Sequence, residues 1–353
     1  MATRRPNRSQ ARLFAQLIDQ LEPEIHRAFM ASVTDLQANV DWRALLEALG
    51  RTDIEGAIAA LNINEAAWAE YSSKMTQAYA LAGASTAAQI QAQGLGGIGT
   101  RFRMTNPGAQ EWIRQNVANR VVGFSEEQTQ VARMVIEAGF GRGQGPRNIA
   151  VDLAGRVQGG SRAGGVLGLD APRAARLQAV TQGMRTADGV RDLVIARQDG
   201  KLALRYKVNA ATEQRIIRAY KAGTAVPEAD RAISERQYSN ALLKARADTV
   251  ANTETANAVM SGRMEQWRQL IETKGIDPES VIKTWHHRRG ASKDHRPDHL
   301  AMSGKSVRGL FTPFVFPDGA QLQYAHDPDG GAKHVIGCGC DTTFRVDHSV
   351  GLE

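Results

Sequence analysis

The chain has 353 residues, which is too long for one small hydrophobic core and predicts two or three domains. Its 42% hydrophobic and 23% charged residues are ordinary proportions for a soluble protein. No window approaches the roughly 18 apolar residues of a membrane span. The apolar run at 13–18 is short and broken, so we expect no signal peptide, no membrane partner and synthesis in the cytoplasm.

The net charge of +7 is concentrated in the middle of the chain, because residues 101–248 hold 24 Lys and Arg against 14 Asp and Glu. Such a segment could follow a polyanion, and double-stranded DNA is the obvious one. A solvated helical surface would explain the same charge. The candidate DNA-binding residues are Arg142, Arg147, Arg156, Arg162, Arg173 and Arg176.

Residues 1–95 are predicted to form an N-terminal helical domain. Helical periodicity is found over residues 9–31, 41–49 and 64–90. Pro23 lies within the first of these patterns, so that helix either kinks or restarts there. One apolar stripe, predicted to belong to the core, consists of Trp68, Tyr71, Met75 and Tyr79. Glycines at 94–99 predict a flexible joint after this domain.

Residues 101–228 are predicted to form a basic helical domain with glycine-rich loops. Asn106 and Pro107 are typical of a helix N-terminus. Ser125 opens a capping-box pattern that predicts the start of another helix. The glycine-rich stretch 141–146 lacks the ending of a phosphate-binding loop and predicts a hinge, and 155–168 is predicted to be a loop.

Residues 230–353 predict a long helix, about 230–272, that leads into a small β-rich module. Short β-type runs separated by Gly and Pro turns are found at 281–287, 306–311, 312–316, 321–324 and 342–346. The fold class is therefore predicted as α+β: a largely helical N-terminal two-thirds, a long helix, and a mostly antiparallel C-terminal module.

The same module holds both cysteines and seven of the eight histidines. Cys338 and Cys340 are poor disulfide partners but can present both sulfurs to one ion, because residues i and i+2 of an extended segment face one side. Zinc needs two further ligands at about 2.0 to 2.3 Å. We expect a structural zinc site made by Cys338, Cys340, His299 and either His295 or His334. Ordinary packing of the cysteines is the alternative.

Glu254 falls in phase with apolar residues of the long helix, so its carboxylate needs a partner. An ion pair with an arginine of the module would supply one. A catalytic or metal-linked acid is the alternative.

At these residues the chain resembles the phage Mu F-like family of head morphogenesis proteins, over roughly residues 235–345. The motif residues are Thr253, Glu254, Trp285, Asp294, Arg296, His299, Gly304, Pro328, Cys338 and Cys340. Two positions depart from the family pattern: Asn252 stands before Thr-Glu, and Gly339 between the cysteines, where the family usually has Arg. The resemblance therefore implies no role for an arginine at these two positions of this chain.

The resemblance implies a minor head protein of a tailed phage. The resemblance places such a protein inside the virion head or at the portal vertex, with portal and capsid proteins as partners and packaged double-stranded DNA as a further candidate partner. On this reading the protein is not an enzyme. The alternative is a metal-dependent nuclease or hydrolase that uses Glu254, Asp294, His295 and His299.

Overall fold

The computed structural model describes residues 8–95, 100–288 and 296–347. Within them the fold is α+β, as predicted, with long helices in the N-terminal two-thirds and small antiparallel sheets near the C-terminus. No helix among the described residues has the length and apolar character needed to cross a membrane.

The helices are α1 (Arg8–Ala38), α2 (Trp42–Gly50), α3 (Ile54–Ala60), α4 (Ala69–Ala92), α5 (Pro107–Ile113), α6 (Asn119–Gly141), α7 (Pro146–Ala154), α8 (Ala171–Gly183), α9 (Ala187–Leu193), α10 (Ala210–Ala222), α11 (Glu228–Lys274), α12 (Pro297–Met302) and α13 (Gly331–Val335). The strands are β1 (Arg156–Gln158), β2 (Ser161–Ala163), β3 (Val194–Ala196), β4 (Leu202–Leu204), β5 (Val281–His287), β6 (Ser306–Arg308), β7 (Phe314–Val315), β8 (Gln321–Leu322) and β9 (Cys340–Val346). Short 3₁₀ turns occupy Glu65–Trp68, Pro278–Ser280 and Pro328–Gly330, and a π-helical turn occupies Arg114–Ala118.

The described residues group into two compact units that each draw on separated stretches of chain. Unit 1 takes residues from Met1–Ala28, Tyr71–Asn119 and Asp248–Glu353, and unit 2 from Phe29–Glu70 and Arg120–Ala247. These units do not follow the three consecutive segments predicted from sequence. The difference arises because α1 and α11 each contribute residues to both units.

An aromatic cluster lies in the core of unit 2. The Trp68 ring lies 5.5 Å from that of Phe29 and 4.7 Å from that of Phe124. The buried Arg246 guanidinium lies 5.5 Å from both phenylalanine rings and donates to the Gly168 carbonyl at 2.8 Å. Helix α6 continues through this core without a break, so the helix start predicted at Ser125 is wrong. Packing of the apolar face overrides the local capping pattern there.

Unit 1 contains the second half of α11 packed closely against α4. A Cβ added at Gly262 would lie 2.4 Å from the Tyr79 carbonyl oxygen, so only glycine permits this approach. The predicted stripe of α4 is confirmed as core, since Tyr71, Met75 and Tyr79 are each at most 1% exposed.

The C-terminal sheet of unit 1 has the order β6-β5-β9, and both pairings are antiparallel. Across the β5–β9 ladder His287 pairs with Cys340 and His286 with Asp341. Because successive side chains alternate between faces, these two pairs point to opposite sides of the sheet. Gln10 of α1 extends the sheet edge: its amide donates to the Phe344 carbonyl at 2.7 Å and accepts from the Phe344 N–H at 2.9 Å.

Several short elements differ from the sequence predictions. The stretch predicted as a loop at 155–168 contains the β1–β2 hairpin, and the strands predicted at 306–311 and 312–316 shrink to β6 and β7. The elements that the periodicity did not predict are α3, β3, β4, α12 and α13. All are at most seven residues long, too short for a periodic pattern to emerge.

Candidate metal centre

Three side chains of unit 1 converge as the sequence predicted. The Nδ1 atom of His299 lies 3.3 Å from the Cys338 sulfur and 3.4 Å from the Cys340 sulfur. All three candidate ligand atoms lie within 4.8 Å of one another, and the residues are 1%, 5% and 0% exposed. Ligands of a tetrahedral zinc ion with ordinary bond lengths stand about 3.5 Å apart. The described donors therefore have the spacing of a metal site.

Local backbone geometry brings the two sulfurs together. Gly337 turns the chain with a φ of +63°, a conformation that favours glycine, and Cys340 begins β9. The Cys340 N–H points back at the Cys338 sulfur at 3.4 Å. The prediction that both sulfurs face one side is therefore confirmed.

His299 lies on the short helix α12, which begins at Pro297. Its ring lies edge-on to Trp285 of β5, with centroids 5.7 Å apart and planes at 87°. Trp285, Cys338 and Cys340 belong to one buried apolar cluster with Phe314 and Phe316. This packing fixes the imidazole without using its nitrogens.

His334, predicted as an alternative ligand, lies instead behind His299. Its Nδ1 is 3.1 Å from the His299 Nε2, and its Nε2 is 3.0 Å from the Asp318 carboxylate. If His299 presents an unprotonated Nδ1 to a metal, its Nε2–H donates to His334, and His334 in turn donates to Asp318. All the hydrogen bonds then run in one direction. Metal-ligating histidines usually donate their second N–H to such a group.

Asp318 is held as an anion at the end of this chain. The Lys333 ammonium, which is hydrogen-bonded to it, is the main cause that lowers the pKa of the carboxyl well below its usual range, and Ala320 N–H and His334 add to the effect. Lys333 also pairs with Asp298 at 3.4 Å. A fixed negative charge at Asp318 favours the tautomer of His334 that carries its proton on Nε2.

His287 is the residue that the sequence analysis missed. Its Nδ1 lies 3.5 Å from the Cys340 sulfur, on the strand position directly opposite. Only the pairing register of β5 with β9 shows that His287, and not His286, faces the thiols. The predicted ligand His295 and the motif residue Asp294 lie outside the described residues.

The two thiols share their protons unequally. The neighbouring Cys340 thiol, against the opposing effect of burial, lowers the pKa of Cys338. The neighbouring Cys338 and burial raise the pKa of Cys340. Cys338 is therefore the more readily ionised of the two thiols, and a thiolate is the form of cysteine that binds metals.

Other motif residues surround the loop that precedes the cysteines. Thr253 of α11 accepts from the Gly337 N–H at 3.4 Å, and Arg296 donates to the Ile336 carbonyl. Glu254 is 5% exposed on the same helix. On the opposite face of the sheet, Asp341 is fully buried, and burial raises its pKa although the nearby Arg263 lowers it.

The six candidate DNA-binding arginines lie in unit 2 and divide into two groups. Arg162 stacks over the Trp42 ring at 4.0 Å, and Arg173 forms an ion pair with Asp170. Both are half-buried and engaged within the unit. The four exposed members are Arg142, Arg147, Arg156 and Arg176.

No family model, curated protein or solved structure matches this chain.

Proposed function

We propose that the C-terminal module holds a structural zinc ion bound by Cys338, Cys340, His299 and His287. The observation that carries this is the convergence of two thiols on one imidazole nitrogen, with the other nitrogen of that imidazole tied to His334 and Asp318. Two sulfurs and two nitrogens form a common closed zinc set. The burial of the three central donors fits a stabilising ion better than one that must reach substrate.

Metal analysis of the purified full chain tests this proposal. We expect about one zinc per chain in the wild type and none in the Cys338→Ser/Cys340→Ser double variant. His26→Ala is the matched control: it also removes a histidine, but one that lies on α1, pairs with Asp248 at 3.2 Å and is not a proposed ligand. Wild-type protein that remains metal-free after purification in zinc-containing buffer would refute the site.

The resemblance to Mu F-like proteins supports a role for the whole chain as a minor head protein of a tailed phage. The supporting observation is that Thr253, Trp285 and Arg296, which are far apart in sequence, lie around the same cysteine loop. The protein would act near the portal vertex, inside the head, with portal and capsid proteins as partners.

Co-expression with the portal protein of a tailed phage tests this role. We expect the two proteins to elute together in size-exclusion chromatography. A chain that remains separate from portal, scaffold and capsid proteins would contradict the assignment, whatever its metal content.

The nuclease alternative receives less support from the site. His299 is 1% exposed, and both of its ring nitrogens are engaged by described side chains. A buried imidazole with no open nitrogen is a poor general base for DNA hydrolysis. Incubation of the protein with DNA and Mg²⁺, Mn²⁺ or Zn²⁺ tests this, because cleavage that is lost in His299→Ala would restore the alternative.

Contact with packaged DNA is assigned to the exposed arginines of unit 2. Replacing Arg147, Arg156 and Arg176 together by alanine should reduce the slope of log binding constant against log salt concentration by about two to three. Each phosphate contact contributes roughly 0.9 to this slope. The Arg162→Ala/Arg173→Ala variant is the control, because both side chains are engaged internally. Equal slopes for wild type and the triple variant would remove these arginines from the interface.

A further inference from the structure

Unit 1 contains a second feature with the character of a binding site, a cleft of about 570 Å³. It is lined by residues of α4, α5, the π-helical turn, α11 and the segment 311–329. Its volume lies within the range of small-ligand sites, roughly 300 to 1,000 Å³. The π-helical turn contributes Gln115 and Asn116 to the lining, and such turns occur frequently at functional sites.

Aromatic rings form part of the cleft wall. Tyr79 and Trp112 are stacked with their centroids 4.0 Å apart and their planes within 7°. Tyr324 lines the cleft as well, and its hydroxyl is 3.1 Å from that of Ser261. The faces of aromatic rings attract cations, and a planar guanidinium stacks on them.

The charged groups of the lining are mainly acidic. The four carboxylates are those of Glu111, Glu265, Asp327 and Asp329. Among the described lining residues Arg268 is the one basic side chain, and it lies 5.6 Å from the Phe311 ring at the cleft. Glu111 is paired with Arg114, and the other three carboxylates still outnumber Arg268 in the lining.

Two buried polar groups at the cleft have incomplete partners. Glu265 is 4% exposed; its Oε1 accepts from Gln269 at 3.0 Å, but its Oε2 has only a long ion pair of 3.8 Å with Arg268. Trp112 is 9% exposed, and its indole N–H has no hydrogen-bond partner among the described residues. The Trp112 nitrogen is enclosed in the wall, whereas the Glu265 carboxylate lines the cleft, so a ligand that completes the pairing of Glu265 is a cation.

We propose that this cleft binds an arginine residue of a partner polypeptide. The guanidinium would stack against the aromatic wall and pair with the Glu265 carboxylate. Arginine fits better than lysine because its planar group can stack and bind a carboxylate through two parallel hydrogen bonds. The proposal does not depend on the metal centre.

Titration of the full chain with two short blocked peptides tests the proposal. One is Gly-Arg-Gly, and the other carries citrulline, which replaces the guanidinium by a neutral group of the same shape. Binding is followed through the indole N–H resonance that disappears in Trp112→Phe, and by calorimetry. We expect saturable binding of the arginine peptide and at least tenfold weaker binding of the citrulline peptide.

Variants separate this site from general acidity of the surface. Glu265→Gln and Asp329→Asn should each lower the affinity for the arginine peptide at least fivefold. Glu126→Gln should leave its affinity unchanged, because Glu126 is exposed on α6 and does not line the cleft. Equal binding of the two peptides, or equal effects of the Glu265 and Glu126 variants, would overturn the proposal. Tight binding of spermidine without binding of the arginine peptide would also overturn it, in favour of a small free cation.

Discussion

Glu235 of α11 makes the stability of unit 2 depend on pH in a direction that can be stated in advance. Burial is the main cause that raises the pKa of this carboxyl from 4.5 to about 7, and the nearby Asp152 carboxylate adds to it, although Arg156, Arg185 and Arg231 oppose the rise. Because the folded pKa is higher than the unfolded one, the folded state holds this proton more tightly. The contribution of Glu235 is therefore favourable at low pH and is lost as pH rises through about 7.

The magnitude follows from the two pKa values. Between pH 5 and pH 8 a shift from 4.5 to about 7 removes up to about 2.5 kcal/mol of unfolding free energy. Partial exposure of the side chain screens its charge and reduces this to roughly 1 to 2 kcal/mol. Glu235→Gln stays neutral over this range, so it should gain that amount relative to wild type on going from pH 5 to pH 8.

Urea denaturation followed by circular dichroism at both pH values measures the effect. The difference in unfolding free energy between variant and wild type is measured at pH 5 and at pH 8. The two differences are then subtracted, because packing effects that do not depend on pH cancel. Glu126→Gln, an exposed carboxylate on α6, is the control and should show no such change. A Glu235→Gln variant whose effect is the same at both pH values would refute the reasoning.

Three further predictions concern unit 1. His334→Phe should weaken zinc binding by about 10- to 100-fold while keeping one ion per chain, measured by competition with a chromophoric chelator; complete loss of the site would instead make it a direct ligand. Gly262→Ala should lower the free energy of unfolding, measured by urea denaturation, by about 1 to 3 kcal/mol because the added methyl group overpacks the contact with α4. The control is Gly123→Ala, at an open position of α6, which should raise that free energy by about 0.5 to 1 kcal/mol. Gln10→Leu should lower the free energy of unfolding by about 2 to 4 kcal/mol in the same assay, because two backbone groups of β9 lose their hydrogen-bond partners. The control is Gln16→Leu, at an exposed position of α1, which should change that free energy little.

The sequence predicts the long elements and the two central thiols well, for physical reasons. The apolar stripe of α1 is read correctly because Leu17, Leu21 and Ile25 recur at helical spacing, and all three are at most 5% exposed. Cys338 and Cys340 are two residues apart, so their shared direction follows from local geometry alone. Their convergence with a histidine of the same module was expected because seven of the eight histidines lie there.

The rest of the site depends on contacts between distant residues. His287 faces the thiols only in the observed register of β5 with β9, and a shift of one residue would present His286 instead. The sequence does not distinguish His334 from the other histidines as a ligand, and only the structure shows that it lies between His299 and Asp318. Similarly, the π-helical turn and the aromatic stack at the cleft leave no periodic signal.

The division of the chain into two units has a consequence for the order of folding during synthesis. Every residue of unit 2 lies between positions 29 and 247, so the ribosome can release all of that unit before the cysteine loop is made. The N-terminal part of α1 cannot complete its contacts until late in synthesis, because Gln10 hydrogen-bonds to Phe344 of β9, 334 positions later. The N-terminal turns of α1 around Gln10 therefore lack this partner during most of translation, and a fragment that starts near residue 230 would lack the side chain that completes the edge of its own sheet.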